Sequence, residues 1–287
     1  MSDTKALKTE GAEPFVTKVI FRDYSGIIQT WESRLHRKGI KAVFLQGFKS
    51  AKKAFWNGFR QVSTINWWIS ILFALGSFLF ILGSLLSLWT PLALYLKFSP
   101  TEVNFVFFWG SIPFTSAAFL QLLQAYFTNK KLIKSIESNR ERKGLNLSSL
   151  GFLSALFQFA GTLLFNVNTF EATRTKMDSM QTEILVWIPD FIGSLFFLIS
   201  GYLAFIEVGH GYWKWERQNV SWWVVFTNLM GCFAFMVSAI FTFIPQGGAG
   251  DLPIEISLLF TLIGAFFFFI GALLMLPEMG AQKNQAN

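Results

Sequence analysis

The chain has 287 residues, 53% of them hydrophobic and 14% charged, with a mean hydropathy of +0.45. That composition excludes an ordinary soluble globular domain. The net charge of +7 points to anionic lipid headgroups and not to nucleic acid, because no folded domain is left over to bind a duplex.

In chain order, residues 1–39 read as a charged cytoplasmic N-terminal tail. Its first 14 residues are polar and aperiodic, which predicts disorder. Over 40–62, Ile40, Phe44, Phe48, Ala51, Phe55 and Phe59 recur at helical spacing. Lys41, Lys49, Lys52, Lys53 and Arg60 occupy other faces, and Trp56 adds an interfacial anchor. This is the pattern of a basic amphipathic helix lying in the headgroup region. A helix packed on the ends of a membrane bundle is the alternative, and the two are compatible.

Six stretches then reach the roughly 20 apolar residues needed to cross a bilayer: 66–89, 102–127, 149–168, 183–207, 221–244 and 254–277. They group as three hairpins, 63–127, 148–207 and 220–278, followed by a cytoplasmic tail over 279–287. The expected fold class is an all-α membrane protein: six transmembrane helices as three tandem hairpin repeats, plus the basic amphipathic N-terminal helix. Twenty-one Lys and Arg fall before the first span, in the alternate loops and in the C-terminal tail, against three (Lys97, Arg174, Lys176) in the other loops. The positive-inside rule then places both termini in the cytoplasm of a multi-pass protein, with the plasma (inner) membrane as its expected location.

The hairpins repeat one pattern. Odd spans carry Gly76-Ser77…Phe80, Gly161-Thr162…Phe165 and Gly231-Cys232…Phe235. Even spans carry Gly110-Ser111…Phe114, Gly193-Ser194…Phe197 and Gly264-Ala265…Phe268. The tandem tryptophans Trp67-Trp68 and Trp222-Trp223 precede their glycines by nine and eight residues. Lipid offers no hydrophobic drive for helix association, so small residues that allow close packing predict the helix-packing seam. Three residues before a glycine, Gln158, Asn228, Asp190 and Thr261 put polar groups on that seam. Asp190 follows Pro189. It reads as a first-turn residue favoured by the helix dipole, as an interior carboxylate coupled to a proton or cation, or as a hydrogen-bond brace to another span. Fourteen residues after each even glycine stand Gln124, Glu207 and Glu278. Carboxylates at helix C-termini face an unfavourable dipole. They are expected to act as inner-rim clamps, compensated by Lys or Arg of the inner loops or of the 40–60 helix.

No phosphate-binding loop, metalloprotease helix or nucleophile elbow occurs, and the two histidines, His36 and His210, have no Cys/His cluster around them. No catalytic, cofactor-binding or metal-ligating residue is expected, so the chain does not read as an enzyme and no cofactor is implied. The single cysteine, Cys232, allows no intrachain disulfide.

The segments Trp222-Trp223…Asn228-Leu229-Met230-Gly231, Gly110-Ser111…Phe114-Thr115…Leu120-Gln121 and Gly271-Ala-Leu-Leu-Met-Leu-Pro277-Glu278 resemble the YrhK-domain and related integral membrane proteins of bacteria and fungi. The resemblance implies a recurring two-span unit with an inner Gln or Glu, and no established activity. Mitochondrial carriers also have three hairpins, but their Pro-x-Asp/Glu-x-x-Lys/Arg signature on odd spans is missing. Two functions remain: a non-enzymatic structural or interaction protein, and a small channel or transporter of a cation, proton or small solute. Expected partners are the bilayer with its anionic headgroups, and a second copy or another membrane protein.

Overall fold

The computed structural model describes residues 6–22, 26–42, 47–138, 149–243 and 252–281, without the side chains of 48, 129–138 and 149. Among the described residues six helices are long and apolar enough to cross a membrane: Ile65–Leu88, Pro100–Thr128, Leu150–Glu171, Ser179–Gly209, Val220–Thr242 and Leu252–Gly280. The chain is thus a mostly all-α, multi-pass integral membrane protein.

The N-terminal region departs from the expected tail. Strands β1 (Ala6–Glu10), β2 (Lys18–Arg22) and β3 (Ile28–Glu32) form an antiparallel sheet in that order. Disorder was expected for 1–14, yet β1 pairs with β2 along its length. Alternation explains the sheet. Val19 and Phe21 share one face, and Val19 lies opposite Trp31 across the β2–β3 ladder, closing a small apolar cluster with Val16. Residues 1–5 lie outside the described residues.

Helix α1 (Ser33–Lys38) leaves β3 directly and stops at Gly39, whose φ of 65° is the left-handed conformation that favours glycine. Helix α2 (Gly47–Phe59) is shorter than the 40–62 stretch, and 43–46 lie outside the described residues. It packs on the end of the last helix. A Cβ on Gly58 would stand 1.9 Å from the Leu276 carbonyl oxygen, and one on Gly280 would stand 1.9 Å from that of Ala54. Lys52, Lys53, Trp56 and Phe59 stay exposed on the other side. Of the two alternatives for this segment, the packed helix is therefore present.

The spans are α3 (Ile65–Leu88), α5 (Pro100–Ser138), α6 (Ser149–Glu171), α8 (Ile188–Gly209), α9 (Val220–Thr242) and α10 (Leu252–Gly280), with the short α4 (Thr90–Tyr95) after α3. Helix α5 runs on to Ser138, into what reads as loop in the sequence. A single turn, α7 (Ser179–Thr182), passes through a π-helical turn at Glu183–Trp187 into α8 without a break. Each span packs against two others, in the cyclic order α3, α5, α6, α8, α9, α10 and back to α3. The bundle is a closed ring of six, with an axis down its middle.

Glycines set the crossings. Within each hairpin the two glycines of the pattern face each other: a Cβ on Gly76 would stand 2.8 Å from the Gly110 carbonyl oxygen, one on Gly161 3.1 Å from that of Gly193, and one on Gly231 3.1 Å from that of Gly264. Backbone meets backbone, as small-residue packing requires. The phenylalanine four residues on then fills the cleft over the partner's glycine. Phe80 lies on Gly110, Phe114 on Gly76, Phe165 on Gly193, Phe197 on Gly161, Phe235 on Gly264 and Phe268 on Gly231.

The tryptophan pairs have a common task. The Trp67 indole N–H donates to the Phe59 carbonyl and that of Trp222 to the Lys214 carbonyl, in each case eight residues earlier. The indole satisfies its one donor by fastening the incoming chain to the start of the span.

Candidate functional site

Three polar and apolar layers succeed one another along the axis. The first, at the end that carries the sheet, is built around α1. Arg34, Arg37 and Lys38 lie three and four apart, so one helix face carries all three cations. Arg37 forks onto Glu207, with Nη1 to Oε1 at 2.6 Å and Nη2 to Oε2 at 2.9 Å, and Ser33 donates to the same Oε1 at 2.5 Å. Glu278 accepts from Arg34 at 3.1 Å, from Lys38 at 2.5 Å and from Ser221 at 2.7 Å. The third position is neutral: Gln124 donates to Asn66 at 2.9 Å, and Asn66 donates to the Lys38 carbonyl at 2.8 Å. So Gln124, Glu207 and Glu278, one from each hairpin, all converge on α1 or on a residue that holds it.

The two carboxylates are almost wholly buried, and the side chains of Arg34, Arg37 and Lys38 are no more than 8% exposed. Such pairs survive burial only when every lone pair and proton finds a partner. Three cations face two carboxylates. Lys38 carries the consequence: burial, added to by the neighbouring Arg34 charge, pushes its ammonium down to about 8. The expected partners were the inner loops and the 40–60 helix; the actual partners come from residues 33–38. The sequence does hold the signal, in the Arg34, Arg37, Lys38 spacing. It went unused because residues 1–39 read as a tail.

The sheet is fixed to the same end. Thr17 Oγ1 hydrogen-bonds His210 Nδ1 at 2.9 Å, and His210 Nε2 stands 3.8 Å from Glu32. Burial works against the Glu32 carboxylate, but the His210 hydrogen bond and the nearby Lys18 charge bring it below the usual range. Ala12 inserts among Leu150, Phe205 and Trp222.

The second layer is apolar. Phe80, Phe165 and Phe235, from the odd helices, touch pairwise with ring centroids 6.4, 6.1 and 5.6 Å apart. Phe114, Phe197 and Phe268, from the even helices, form a second triangle with spacings of 6.2, 5.5 and 6.3 Å. The triangles stack, with 4.9 Å between Phe165 and Phe197. All six rings are buried, and the gap they enclose is about 10 Å³, bordered by Ser77, Ser111 and Thr162. The hydroxyl of Ser77 has no hydrogen-bond partner. The phenylalanines of the repeat close the axis.

Polar groups of the seam fall on both sides of this plug. On the α1 side Gln158 and Asn228 meet in a pocket of about 10 Å³ under Phe114 and Phe268, at the lower limit for one water. On the far side lies a cavity of about 360 Å³ that contains Asp190 and Thr261. Its floor is Phe80, Phe165 and Phe235, and its wall adds Asn104, Asn168, Thr169, Ser238, Thr242 and Ser257. The four seam residues are thus two pairs, divided by the plug.

Asp190 does not cap a helix. The helix begins at Asp178, whose carboxylate accepts from the Gln181 N–H while the Gln181 side chain returns to the Asp178 N–H. Asp190 follows the π-helical turn within that continuous helix, and it lines the cavity together with Asn168. Asp190 falls in the first turn of α8 with Pro189 just before it, as the first-turn reading has it, but the π-helical turn joins α8 to the helix that starts at Ser179, so this turn is not a free helix end; such turns are frequent at functional sites.

Among the described residues no cluster of three or more His, Cys, Asp or Glu forms a metal site. Comparison with protein-family models, with curated proteins and with solved structures found no match in any of the three.

Proposed function

We propose that this integral membrane protein is a non-enzymatic structural or interaction module, built from three copies of one hairpin and closed along its axis. The observation that carries this reading is the double phenylalanine triangle, which leaves no wet path between the two polar sides. The clamp supports it: one short helix is bonded to all three hairpins, through Asn66, Glu207 and Glu278, and ties the sheet to the bundle. In this reading the α1 end and both termini are cytoplasmic, the exposed Lys52 and Lys53 of α2 meet anionic headgroups, and the sheet is the surface offered to a partner or a second copy. The repeated glycine crossings and the inner Gln and Glu support a kinship with YrhK-domain-like proteins.

The test is flux. Protein reconstituted in liposomes should pass no protons, potassium ions or small solutes above the empty-vesicle rate. Saturable transport by the wild type would overturn the reading.

A second reading has one observation behind it. Polar pockets on either side of a closed plug are the shape of an occluded transport path, with Asp190 as the coupling carboxylate. Under it, Asp190→Asn abolishes a flux that the wild type shows.

A further inference from the structure

Beyond the closed-module reading, the Asp190 cavity has a chemistry of its own. Its volume of about 360 Å³ is in the range of small-molecule sites and far beyond a bare ion. Among the described residues Asp190 is its only ionisable side chain, and no Lys, Arg or His lines it. Its floor is three aromatic rings, with Phe107 beside them. Ile254 and Leu258 add apolar wall, which suits carbon and not a hydrated metal ion.

The hydroxyls of the wall are engaged with helix carbonyls and with one another. Thr169 lies 2.7 Å from the Phe165 carbonyl and Thr242 2.9 Å from that of Ser238, while Ser238, Ser257, Thr261 and Thr242 form a chain of hydroxyl contacts of 2.7–3.0 Å that also reaches the Ser257 carbonyl. Each hydroxyl has one proton and two lone pairs, so a network that engages these protons keeps more acceptor than donor capacity. A cavity with one carboxylate, several acceptors and aromatic faces is complementary to a positively charged donor with carbon attached to it. An anion would find no cation among the described residues and few free protons.

The geometry points to a binding site for the ammonium group of a small organic cation, with the nitrogen at Asp190 and the carbon substituents on the Phe80, Phe165 and Phe235 floor. Two sources carry that chemistry: a soluble amine of choline or ethanolamine size, and the headgroup of a zwitterionic lipid. A second cavity of about 310 Å³ adjoins through Asn104 and is lined by Leu86, Ala93, Phe98 and Val103, which suits the chain of a lipid. The site stands whether or not the protein transports anything.

The experiment uses the full chain in nanodiscs of phosphatidylglycerol alone, which has no ammonium group. Choline and ethanolamine are titrated by calorimetry, with the uncharged choline isostere 3,3-dimethylbutan-1-ol as control. In parallel, discs doped with phosphatidylcholine or phosphatidylethanolamine are scored for a rise in melting temperature. Saturable binding of the soluble amines identifies a soluble ligand; stabilisation by the doped discs alone identifies a headgroup. In either arm Asp190→Asn weakens the response at least about tenfold, and Thr261→Val, which keeps shape but removes an acceptor, weakens it less. The Thr261→Val arm also holds the test open if Asp190→Asn fails to fold. The inference is overturned if neither arm responds, if the uncharged isostere binds as tightly as choline, or if a folded Asp190→Asn protein binds like the wild type.

Discussion

Arg37 reaches Glu207 through the space left by Gly151. A Cβ at position 151 would stand 1.5 Å from Arg37 Nη1 and 2.6 Å from Glu207 Oε1. The other hairpins fill the matching position with a side chain that bonds the rim residue: Asn66 accepts from Gln124, and Ser221 donates to Glu278. Each of these positions lies ten residues before its odd-span glycine. In the second hairpin the donor is supplied by α1, so the missing side chain is what admits the guanidinium.

Gly151→Ala should therefore displace Arg37 and leave a buried carboxylate short of its partner, at a cost of about 3–5 kcal/mol. The double variant Arg37→Ala/Gly151→Ser should be more stable than Arg37→Ala alone, because a serine there can donate to Glu207 as Ser221 donates to Glu278. Melting temperatures in detergent decide both. Independent, additive effects at the two positions would contradict the arrangement.

Lys38 sets a pH dependence of definite sign. Its folded-state value of about 8 lies below its ordinary value of 10.5. Between the two the unfolded chain binds more protons, so stability rises with pH, by up to about 1.4 kcal/mol per unit. Below that window the buried ammonium is a standing cost beside Arg34 and Arg37, only partly offset by Glu278. Lys38→Met should remove the rise: the difference in stability between variant and wild type should be largest near pH 7 and shrink towards pH 10. A difference that is constant with pH would show that Lys38 does not titrate in this window.

The glycine crossings predict a different class of loss. At Gly193 a Cβ would meet the Phe165 ring at 2.8 Å, and at Gly264 the Phe235 ring at 2.9 Å. Gly193→Ala and Gly264→Ala should each cost roughly 1–3 kcal/mol by overpacking, and Gly76→Leu or Gly231→Leu should misassemble the bundle. Size-exclusion profiles and thermal unfolding would report it. Full tolerance of leucine at these positions would mean that the crossings are looser than the backbone contacts indicate.

How legible this was in the sequence differs by region. Glycine and phenylalanine four residues apart are read directly, because in lipid a close crossing needs a small residue and a filler, and helical geometry places both on one face. Asp190, Thr261, Gln158 and Asn228 were legible as interior polar groups. Their division into two pockets was not, since depth along the axis depends on how six helices stagger. The sheet was missed for another reason. Five-residue strands give too few alternations to stand out, and Val19 opposite Trp31 is visible only once the register is known. Missing the sheet hid α1, and with it the partners of Glu207 and Glu278.

Orientation can be read independently of fold. Lys52 lies on α2 at the α1 end, and Lys176 lies in the α6–α7 connection at the other; both are exposed. With Cys232 replaced by serine, Lys52→Cys should react with an impermeant maleimide only from the cytoplasmic side and Lys176→Cys only from outside. The reverse pattern would invert the bundle.

The plug makes the sharpest demand on function. The odd triangle borders the Asp190 cavity, and the even triangle borders the Gln158–Asn228 pocket. Either triangle alone still blocks the axis. Phe165→Ala should therefore leave reconstituted vesicles tight, and so should Phe197→Ala, even though each loses about 3–5 kcal/mol of packing. The pair Phe165→Ala/Phe197→Ala removes two contacting rings, one from each triangle, with centroids 4.9 Å apart, and should join the cavity to the inner pocket, letting protons leak at a rate the single variants do not show. Circular dichroism and a monodisperse elution peak must accompany the flux measurement, so that a leak from unfolding is not mistaken for an opened axis. A leak in either single variant would mean that one layer, and not two, holds the path shut. A double variant that folds and stays tight would mean that neighbouring side chains close over the gap, and that the seal belongs to the whole ring of helices.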